Sequence, residues 1–566
     1  MATLIARSIP VAGPVERALC STAIRAATLL LACTYVVVLG ITYIIFVAPG
    51  RTYVTDWLND IMGLLDTANR FHLGQIPYKD YHLAFGPLVA VVPGLGLNLG
   101  LSAAQIFGFD SLIVSAFLLF AAVVVLPRRL TLVAAMFLFL FVWLVAAVPM
   151  GEGHYRVSWG CFYDRQAWAA ILLISLFYVE PISHGRHDMW LDAVTLAALV
   201  LFACYTKFTF GAVAIGFVLA SVFVSPYNRQ VSLRCLAVVA AVAAALEATF
   251  HFHLAYVANI KEFLGSLKGE DRIRPAARIL ITNAPIALCT VGVALAPGAA
   301  GRGWRLNVLY AVACVLACVL LVMSTGHAGT SYIGLVAVFV AMGELARRSV
   351  EKHRKKTSVR SIFEKEIGAL GCLFLAVAFS ATESTNRLFA LVDYTAHVVS
   401  RDTRLSPNPP TKLAGFIVHP VKAVSRFEDT APSAIEAQYR NYEYIEETDY
   451  MQTITEGTRL VESVASTDQS VFTFDMVNPF PYTAGLRPPL GGHPQFWLGD
   501  HYTSDPSILP KPDEILGDAD YVMVPTLPYY AKQLEIMMKI YGSSLRTNYR
   551  LLKVSPHWEL WARKVQ

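Results

Sequence analysis

Long apolar runs constrain the possible folds of this chain more than any other feature. They recur from the first fifty residues to about residue 382. A bilayer-spanning helix needs about 20 mostly apolar residues, and it satisfies every backbone polar group within its own segment. Of the 566 residues, 55% are hydrophobic and only 15% are charged, against about 25% charged in soluble domains. The sequence therefore predicts an α-helical polytopic membrane protein.

The apolar runs predict about eleven transmembrane helices. Several runs are at the short end for spanning a bilayer. The first run is longer than a signal-peptide core, so we interpret it as the first transmembrane helix. The runs lie at 26–48, 103–126, 131–149, 167–182, 189–205, 210–225, 235–250, 281–297, 306–323, 329–346 and 366–382.

The positions of Lys and Arg predict the orientation of these helices. Cytoplasmic loops carry an excess of basic residues. With Arg7, Arg17 and Arg25 in the cytoplasm, the dense basic segment 347–365 is also cytoplasmic. Eleven crossings then place everything after residue 382 outside. We expect a multi-pass protein of the bacterial inner (cytoplasmic) membrane, with a cytoplasmic N-terminus and a periplasmic C-terminal domain.

Two domains follow from this division. Residues 1–382 form the predicted transmembrane domain, and residues 383–566 form an extracytoplasmic domain. In the second, apolar β-type runs alternate with helical stretches and Pro-rich connectors, a pattern typical of an α/β domain. It contains no Gly-rich phosphate loop and no nucleophile-elbow motif. We expect it to support the site or to recognise an acceptor.

One predicted outer loop is an exception to the rule that basic residues concentrate in cytoplasmic loops. Residues 251–280 lie outside in this topology, yet they are basic and include Arg272, Arg274 and Arg278. Guanidinium groups match phosphate oxygens bidentately, so this loop is a candidate phosphate-binding element. Attraction to anionic lipid head groups is the alternative explanation.

The first outer loop, 49–87, is the most informative polar segment. Residues 56–70 predict an amphipathic helix that carries Asp56 and Asp60 on one face. Burial and mutual repulsion would raise the pKa of at least one of them, which suits proton abstraction from a hydroxyl. The alternative is that Asp56 is a helix N-cap and that the remaining polar residues are solvated.

A motif in this loop resembles the first outer loop of the GT-C class of integral-membrane glycosyltransferases. The resemblance is close over residues 56–88 and loose over residues 1–382. It is carried by Asn59-Asp60-x7-Ala68-x5-Gly74-x2-Pro77-Tyr78-x-Asp80, followed by Phe85-Gly86-Pro87-Leu88.

The resemblance implies a catalytic role for Asp60. In the GT-C class the corresponding Asp is the general base that deprotonates an acceptor hydroxyl, which attacks a lipid-phosphate-linked sugar with inversion. We rank Asp60 first, Asp56 second and Asp80 third as the catalytic base. Many members carry paired acids where this chain has Asn59-Asp60. A divalent metal is therefore possible but unsupported, and we predict no required cofactor.

Lys207 is the first candidate for substrate binding. It lies at the tip of a predicted outer hairpin, where the resemblance implies proximity to the lipid phosphate; a snorkelling anchor is the alternative. Aromatic and polar residues of the second outer loop, 150–166, suit sugar faces and hydroxyls, although such residues also populate the membrane interface. With His82 of the first loop, the further candidates are Glu152, His154, Tyr163 and Arg165.

The leading hypothesis is a glycosyltransferase that uses a polyprenyl-phosphate-linked sugar at the outer face of the membrane. Its expected partners are that lipid donor, a glycan, glycolipid or protein acceptor, and membrane lipids. The net charge of +5 has no accompanying nucleic-acid-binding pattern. A transporter or flippase of lipid-linked saccharides is a second hypothesis, although no pair of Gly/Pro-broken helices supports it. An O-antigen-type polymerase or ligase is a third, although its key loop usually comes late in the chain.

Overall fold

A computed structural model describes residues 14–130, 132–151, 156–179, 181, 186–266, 317, 321, 384–400, 409–419, 445–496, 498 and 509–564. Up to residue 266 the described helices and strand are α1 (Pro14–Thr42, continued by a π-helical turn, Tyr43–Val47), β1 (Thr52–Val54), α2 (Leu58–His72), α3 (Leu88–Asn98), α4 (Ala103–Val125), α5 (Leu132–Ala147), α6 (Phe162–Ser175), α7 (Arg186–Thr206), α8 (Phe208–Ser221), α9 (Pro226–Phe250) and α10 (His253–Ser266).

The first seven predicted apolar runs are helical. They correspond to α1, α4, α5, α6, α7, α8 and α9. Among the described residues, four helical segments are long and apolar enough to cross a membrane, namely Ile24–Val47, Ala103–Arg128, His187–Thr206 and Pro226–Phe250. The chain is thus a membrane protein. The four later runs, between 281 and 382, lie outside the described residues apart from Ala317 and Leu321.

A buried ionic cluster joins the helices at one end of the bundle. The Asp192 carboxylate of α7 pairs with Arg128 and Arg129, which follow α4, and accepts a hydrogen bond from the Tyr227 hydroxyl of α9 at 2.9 Å. The Asp192 side chain is fully buried. Removing one partner of a buried ion cluster leaves the other charges uncompensated.

Asp192→Ala is therefore expected to destabilise the protein by about 3–5 kcal/mol. Thermal unfolding of the purified protein in detergent measures the loss. Asp188→Asn is the matched control, since Asp188 lies 3.6 Å from Arg128 but is 27% exposed, and such pairs contribute at most about 1 kcal/mol. Equal midpoints for the two variants would contradict the assignment.

The C-terminal part of the chain contains helices and a four-stranded sheet. A helix over 384–400, named α11, packs against the C-terminal end of α5, where Arg387 donates to the Leu144 and Val145 carbonyls. The later elements are β2 (Phe416–Val418), α12 (Glu447–Glu462), β3 (Val471–Thr473), α13 (Phe480–Thr483), α14 (Pro512–Leu516), β4 (Tyr521–Pro525), α15 (Ala531–Asn548), β5 (Tyr549–Val554) and β6 (Trp558–Arg563).

The sheet has the order β3-β4-β6-β5. The β3–β4 pair is parallel and the other two pairs are antiparallel. One apolar cluster joins the sheet to α15 through Val522 and Tyr541, and another joins it to the end of α12 through Val461 and Met523. Helices thus cover the sheet, as a layered domain requires.

The first outer loop and the C-terminal part pack as one structure. Strand β1 pairs with β2 in parallel, with Thr52 opposite Phe416. Helix α2 is buried on its apolar side and also on its polar side, where Arg70 pairs with Asp66 at 2.9 Å and donates to the Pro489 carbonyl at 2.8 Å. The polar side is buried because the C-terminal part covers it.

Close contact with the C-terminal part also explains a glycine in α2. A Cβ on Gly63 would lie 2.3 Å from Gln495 Cγ and 2.9 Å from Val477 Cγ1. Such distances lie well inside van der Waals contact. Only glycine lets the helix and the C-terminal segment approach this closely.

Candidate active site

The N-terminus of α2 is the centre of the candidate site. The helix begins at Leu58, two residues later than predicted, because Trp57 adopts a left-handed conformation with φ of 55°. Asp56 therefore precedes the helix, and the prediction that it shares a helical face with Asp60 is wrong. Trp57 makes no side-chain capping hydrogen bond. The first backbone N–H groups of α2 thus need partners from elsewhere.

Glu447, the first residue of α12, supplies those partners. Its Oε1 accepts from the Trp57 N–H at 3.0 Å, and its Oε2 accepts from the Leu58 N–H at 2.9 Å. The Tyr529 hydroxyl lies 3.4 Å from Oε1. A carboxylate at a helix N-terminus is favoured by the orphan N–H groups and by the helix dipole.

Asp60 lies in the first turn of α2 and is 8% exposed. Its Oδ1 lies 3.4 Å from Asn59 Nδ2, and its Oδ2 lies 3.8 Å from Cys161 Sγ. Gln495 of the C-terminal part donates to the Asp60 backbone carbonyl at 3.1 Å. The carboxylate is thus shielded from bulk solvent, and the backbone of Asp60 is held by the C-terminal part.

Asp56 is the second acid at this helix end. It is 6% exposed, and Oδ1 lies 3.2 Å from Nη1 of Arg156 in the second outer loop. The neighbouring backbone is also paired with that loop, since the Thr55 N–H donates to the Val157 carbonyl at 2.9 Å. The first and second outer loops therefore build the site together.

Three acids, two from the first outer loop and one from the C-terminal part, surround this helix end. Burial, followed by the negative charge of Asp56, raises the pKa of Glu447 to about 8. The rise reflects the cost of burying a charged carboxylate and of placing it close to another acid. Burial also raises the pKa of Asp475, whose Oδ2 accepts from the Tyr529 N–H, to about 7.

A chain of contacts runs from Asp60 to Lys207. Cys161 Sγ, next to Asp60, is 3.9 Å from the Tyr163 hydroxyl. The Tyr163 ring packs on Phe85 with centroids 4.5 Å apart, and Lys207 Nζ lies 5.5 Å from the Tyr163 ring centroid. The structure thus brings two predicted site residues, Tyr163 and Lys207, into the neighbourhood of Asp60.

Lys207 occupies the predicted hairpin between α7 and α8. Nζ lies 3.0 and 3.3 Å from the two Asp164 carboxylate oxygens. The side chain is 13% exposed. Lys207 therefore has a negative partner in this structure, and an incoming phosphate would compete with Asp164 for the ammonium group.

The Phe85-Gly86-Pro87 segment fixes the position of this hairpin. The Gly86 N–H donates to the Thr206 carbonyl at 2.9 Å. A Cβ on Gly86 would lie 2.0 Å from the Tyr205 carbonyl oxygen. Glycine is required here because two backbone segments touch directly. This part of the motif thus has a structural role, since it positions the hairpin that carries Lys207.

Other predicted residues hold the loops together. Asp80 Oδ2 accepts from the Ile76 N–H at 2.7 Å and closes a turn. The His82 ring lies 3.1 Å from Asn259 Oδ1 and stacks on His493 at 4.7 Å. Arg165 donates to carbonyls of the second outer loop, those of Met150, Ser158 and Gly160. As substrate ligands, His82 and Arg165 stay predictions.

Several predicted residues lie outside the described residues. These are Glu152, His154, Arg272, Arg274 and Arg278. Sequence reasoning missed Glu447, Tyr529, Cys161 and Gln495, which contribute to the site from other segments. Within the described residues, the acidic start of an amphipathic helix in the C-terminal part was the available signal for Glu447.

Comparison of the structure with solved structures gives matches over most of the chain. ArnT from Cupriavidus metallidurans in the apo state is 12% identical with a TM-score of 0.42, covering 94% of this chain and 97% of ArnT. The mycobacterial arabinofuranosyltransferase AftD is 14% identical with a TM-score of 0.38, covering 95% and 40%.

A third match is the archaeal oligosaccharyltransferase AglB from Archaeoglobus fulgidus, in complex with an inhibitory peptide and a dolichol-phosphate. It is 12% identical with a TM-score of 0.31, covering 87% of this chain and 69% of AglB. No protein-family profile and no curated protein matches the sequence.

Proposed function

We propose that this protein is a membrane glycosyltransferase that moves a sugar from a polyprenyl-phosphate donor to an acceptor hydroxyl at the outer face of the membrane. The observation that carries the proposal is the shielded Asp60 carboxylate at the N-terminus of α2, linked by side-chain contacts to Lys207. A base at one end of a chain of contacts and a cation at the other suit a displacement reaction. The base would deprotonate the attacking hydroxyl, and the cation would stabilise the leaving group.

In the proposed step, an Asp60 carboxylate oxygen accepts the proton of the acceptor hydroxyl. The acceptor oxygen then forms a bond to the anomeric carbon while the bond from that carbon to the phosphate oxygen breaks. The configuration at the anomeric carbon inverts, and the leaving group is polyprenyl phosphate. No step is assigned to a metal ion or a cofactor.

Lys207 would stabilise the negative charge that develops on the departing phosphate. Electrostatic stabilisation of developing charge is usually a large contribution to catalysis. Phe85 and Tyr163, whose rings lie 6.0 and 5.5 Å from Lys207 Nζ, form an apolar wall that limits hydration of the ammonium group. The acceptor could be a glycan, a glycolipid or a protein.

The proposed topology places the site outside. The first outer loop, the 206–208 turn and α12 meet at one end of the helix bundle, with the Arg128–Asp192 cluster at the other end of α4 and α7. With the basic loops in the cytoplasm, the site and the C-terminal domain face the periplasm of a bacterial inner membrane. A reporter fused after Gln566 tests this by its location.

Lys207→Ala is expected to raise the KM for the polyprenyl-phosphate donor about tenfold or more, while the acceptor KM changes about twofold or less. The reason is that only the donor carries a phosphate. Steady-state transfer assays with each substrate varied in turn measure both constants. Lys207→Arg keeps the charge and is expected to retain part of the donor affinity, whereas equal losses for donor and acceptor would contradict a phosphate contact.

A further inference from the structure

The N-terminus of α2 is capped by a residue from a distant part of the chain. Local Ser, Thr, Asp or Asn residues usually satisfy the first N–H groups of a helix. Here the residue before α2 is Trp57, and the cap is Glu447, which lies 390 residues later in the sequence. The helix that carries Asp60 therefore has an incomplete N-terminus unless the C-terminal part is docked.

The capping carboxyl group of Glu447 is itself held in place by neighbouring residues of the C-terminal part. Glu447 is 7% exposed and lies 3.4 Å from the Tyr529 hydroxyl. The Tyr529 ring packs edge-on against Tyr450 of α12 at 4.8 Å, and the Tyr529 N–H donates to Asp475 at 3.3 Å. Strand β4 ends four residues before Tyr529, so the sheet anchors this group.

Gln495 provides a second contact of the same kind. Its side chain donates to the Asp60 carbonyl at 3.1 Å and packs on Gly63 one turn later. Two side chains of the C-terminal part thus hold the backbone of the first turn of α2, one through N–H groups and one through a carbonyl.

We propose that Glu447 is a positioning residue for Asp60. Through this contact the C-terminal domain forms part of the active site. The proposal rests on the proposed function of Asp60. Glu447 fixes the first turn of α2 by bonding the N–H groups of Trp57 and Leu58, and that turn sets the direction of the Asp60 carboxylate.

Glu447→Gln tests the contact with nearly unchanged side-chain volume. The amide keeps one acceptor oxygen but turns an NH2 donor toward a backbone N–H, so one capping bond is lost. We expect kcat for transfer to fall about tenfold or more with the donor KM within about twofold, because a small misplacement of a catalytic group lowers the rate strongly. Glu462→Gln, at the exposed end of the same helix, is the control.

Hydrogen–deuterium exchange supplies a readout that does not depend on activity. In Glu447→Gln the peptide covering residues 57–72 is expected to exchange about tenfold faster in its first turn, with α12 and the sheet unchanged. Glu447→Asp, which keeps both carboxyl oxygens but shortens the side chain, is expected to give a smaller change in the same peptide. If the Gln variant does not fold, the Asp variant decides the question.

Unchanged exchange at 57–61 in both variants, or a kcat within about twofold of wild type for Glu447→Gln, would overturn the proposal. Failure of the proposed function is distinguishable. In that case wild type would transfer no sugar, and Asp60→Asn would change nothing, while the exchange result would still decide whether Glu447 caps α2.

Discussion

Asp60→Asn is expected to reduce sugar transfer by about 10²–10⁴-fold, the contribution of a general base. The substitution is nearly isosteric, so the packing of the first turn of α2 should persist. The Asn side chain cannot accept the acceptor proton, because its carbonyl oxygen is a weak base. The Gln495 contact uses the Asp60 backbone carbonyl and is retained. Product formation under single-turnover conditions measures the loss.

The neighbouring acids provide the comparison for Asp60. Asp56→Asn weakens the contact with Arg156 and should cost less activity than Asp60→Asn. Asp80→Ala removes the acceptor of the Ile76 N–H and should reduce stability by about 1 kcal/mol while most transfer remains. A larger loss from either variant than from Asp60→Asn would assign the base elsewhere. Full turnover by Asp60→Asn would rule this residue out.

Gly86→Ala is expected to lower both stability and activity. The added Cβ would lie 2.0 Å from the Tyr205 carbonyl oxygen and 2.8 Å from the Thr206 carbonyl carbon. Both neighbours are backbone atoms, so no side-chain rotation relieves the clash. The 206–208 turn must move, and Lys207 moves with it. We expect destabilisation of about 1–3 kcal/mol and at least about tenfold slower transfer.

Thermal unfolding and transfer assays of Gly86→Ala measure both effects. Gly216→Ala in α8 is the matched control, because a Cβ there meets nothing within 4 Å. It also improves helix propensity. The control should keep wild-type activity and unfold at or slightly above the wild-type midpoint. Wild-type stability and activity for Gly86→Ala would show that the two backbone segments do not touch in this way.

Much of the fold was predictable from hydrophobic pattern alone. The first seven apolar runs are helical because a bilayer-spanning segment must satisfy its own backbone. The amphipathic helix of the first outer loop was predicted from its stripe, in which Ile61, Leu64, Leu65 and Ala68 are buried. These signals are local, so a single sequence carries them.

The start of α2 was predicted two residues early. Propensity favours helix from Asp56, but Trp57 takes a left-handed conformation while Gly160 packs against its side chain, and a Cβ there would lie 2.9 Å from Trp57 Cβ. Tertiary contact thus overrides a local preference. The same holds for the polar side of α2, which is buried only because a distant segment covers it.

Only part of the candidate site could be predicted from the sequence. Asp60 was predicted from the resemblance of residues 56–88, and Tyr163 and Lys207 were predicted because they lie in a polar outer loop and at a hairpin tip. Glu447 was not found, because its role depends on a pairing across 390 residues that no local pattern encodes. Arg272, Arg274 and Arg278 lie outside the described residues, and their contact with phosphate stays a prediction.

The most direct test of the central claim is a donor panel with the purified protein in lipid nanodiscs. Polyprenyl-phosphate sugars and the matching nucleotide sugars would be offered separately, and transfer to a hydroxyl acceptor would be followed by mass spectrometry. The proposed mechanism predicts a product of inverted anomeric configuration and released polyprenyl phosphate from at least one lipid donor. Transfer from nucleotide sugars alone, or a product with retained configuration, would contradict it.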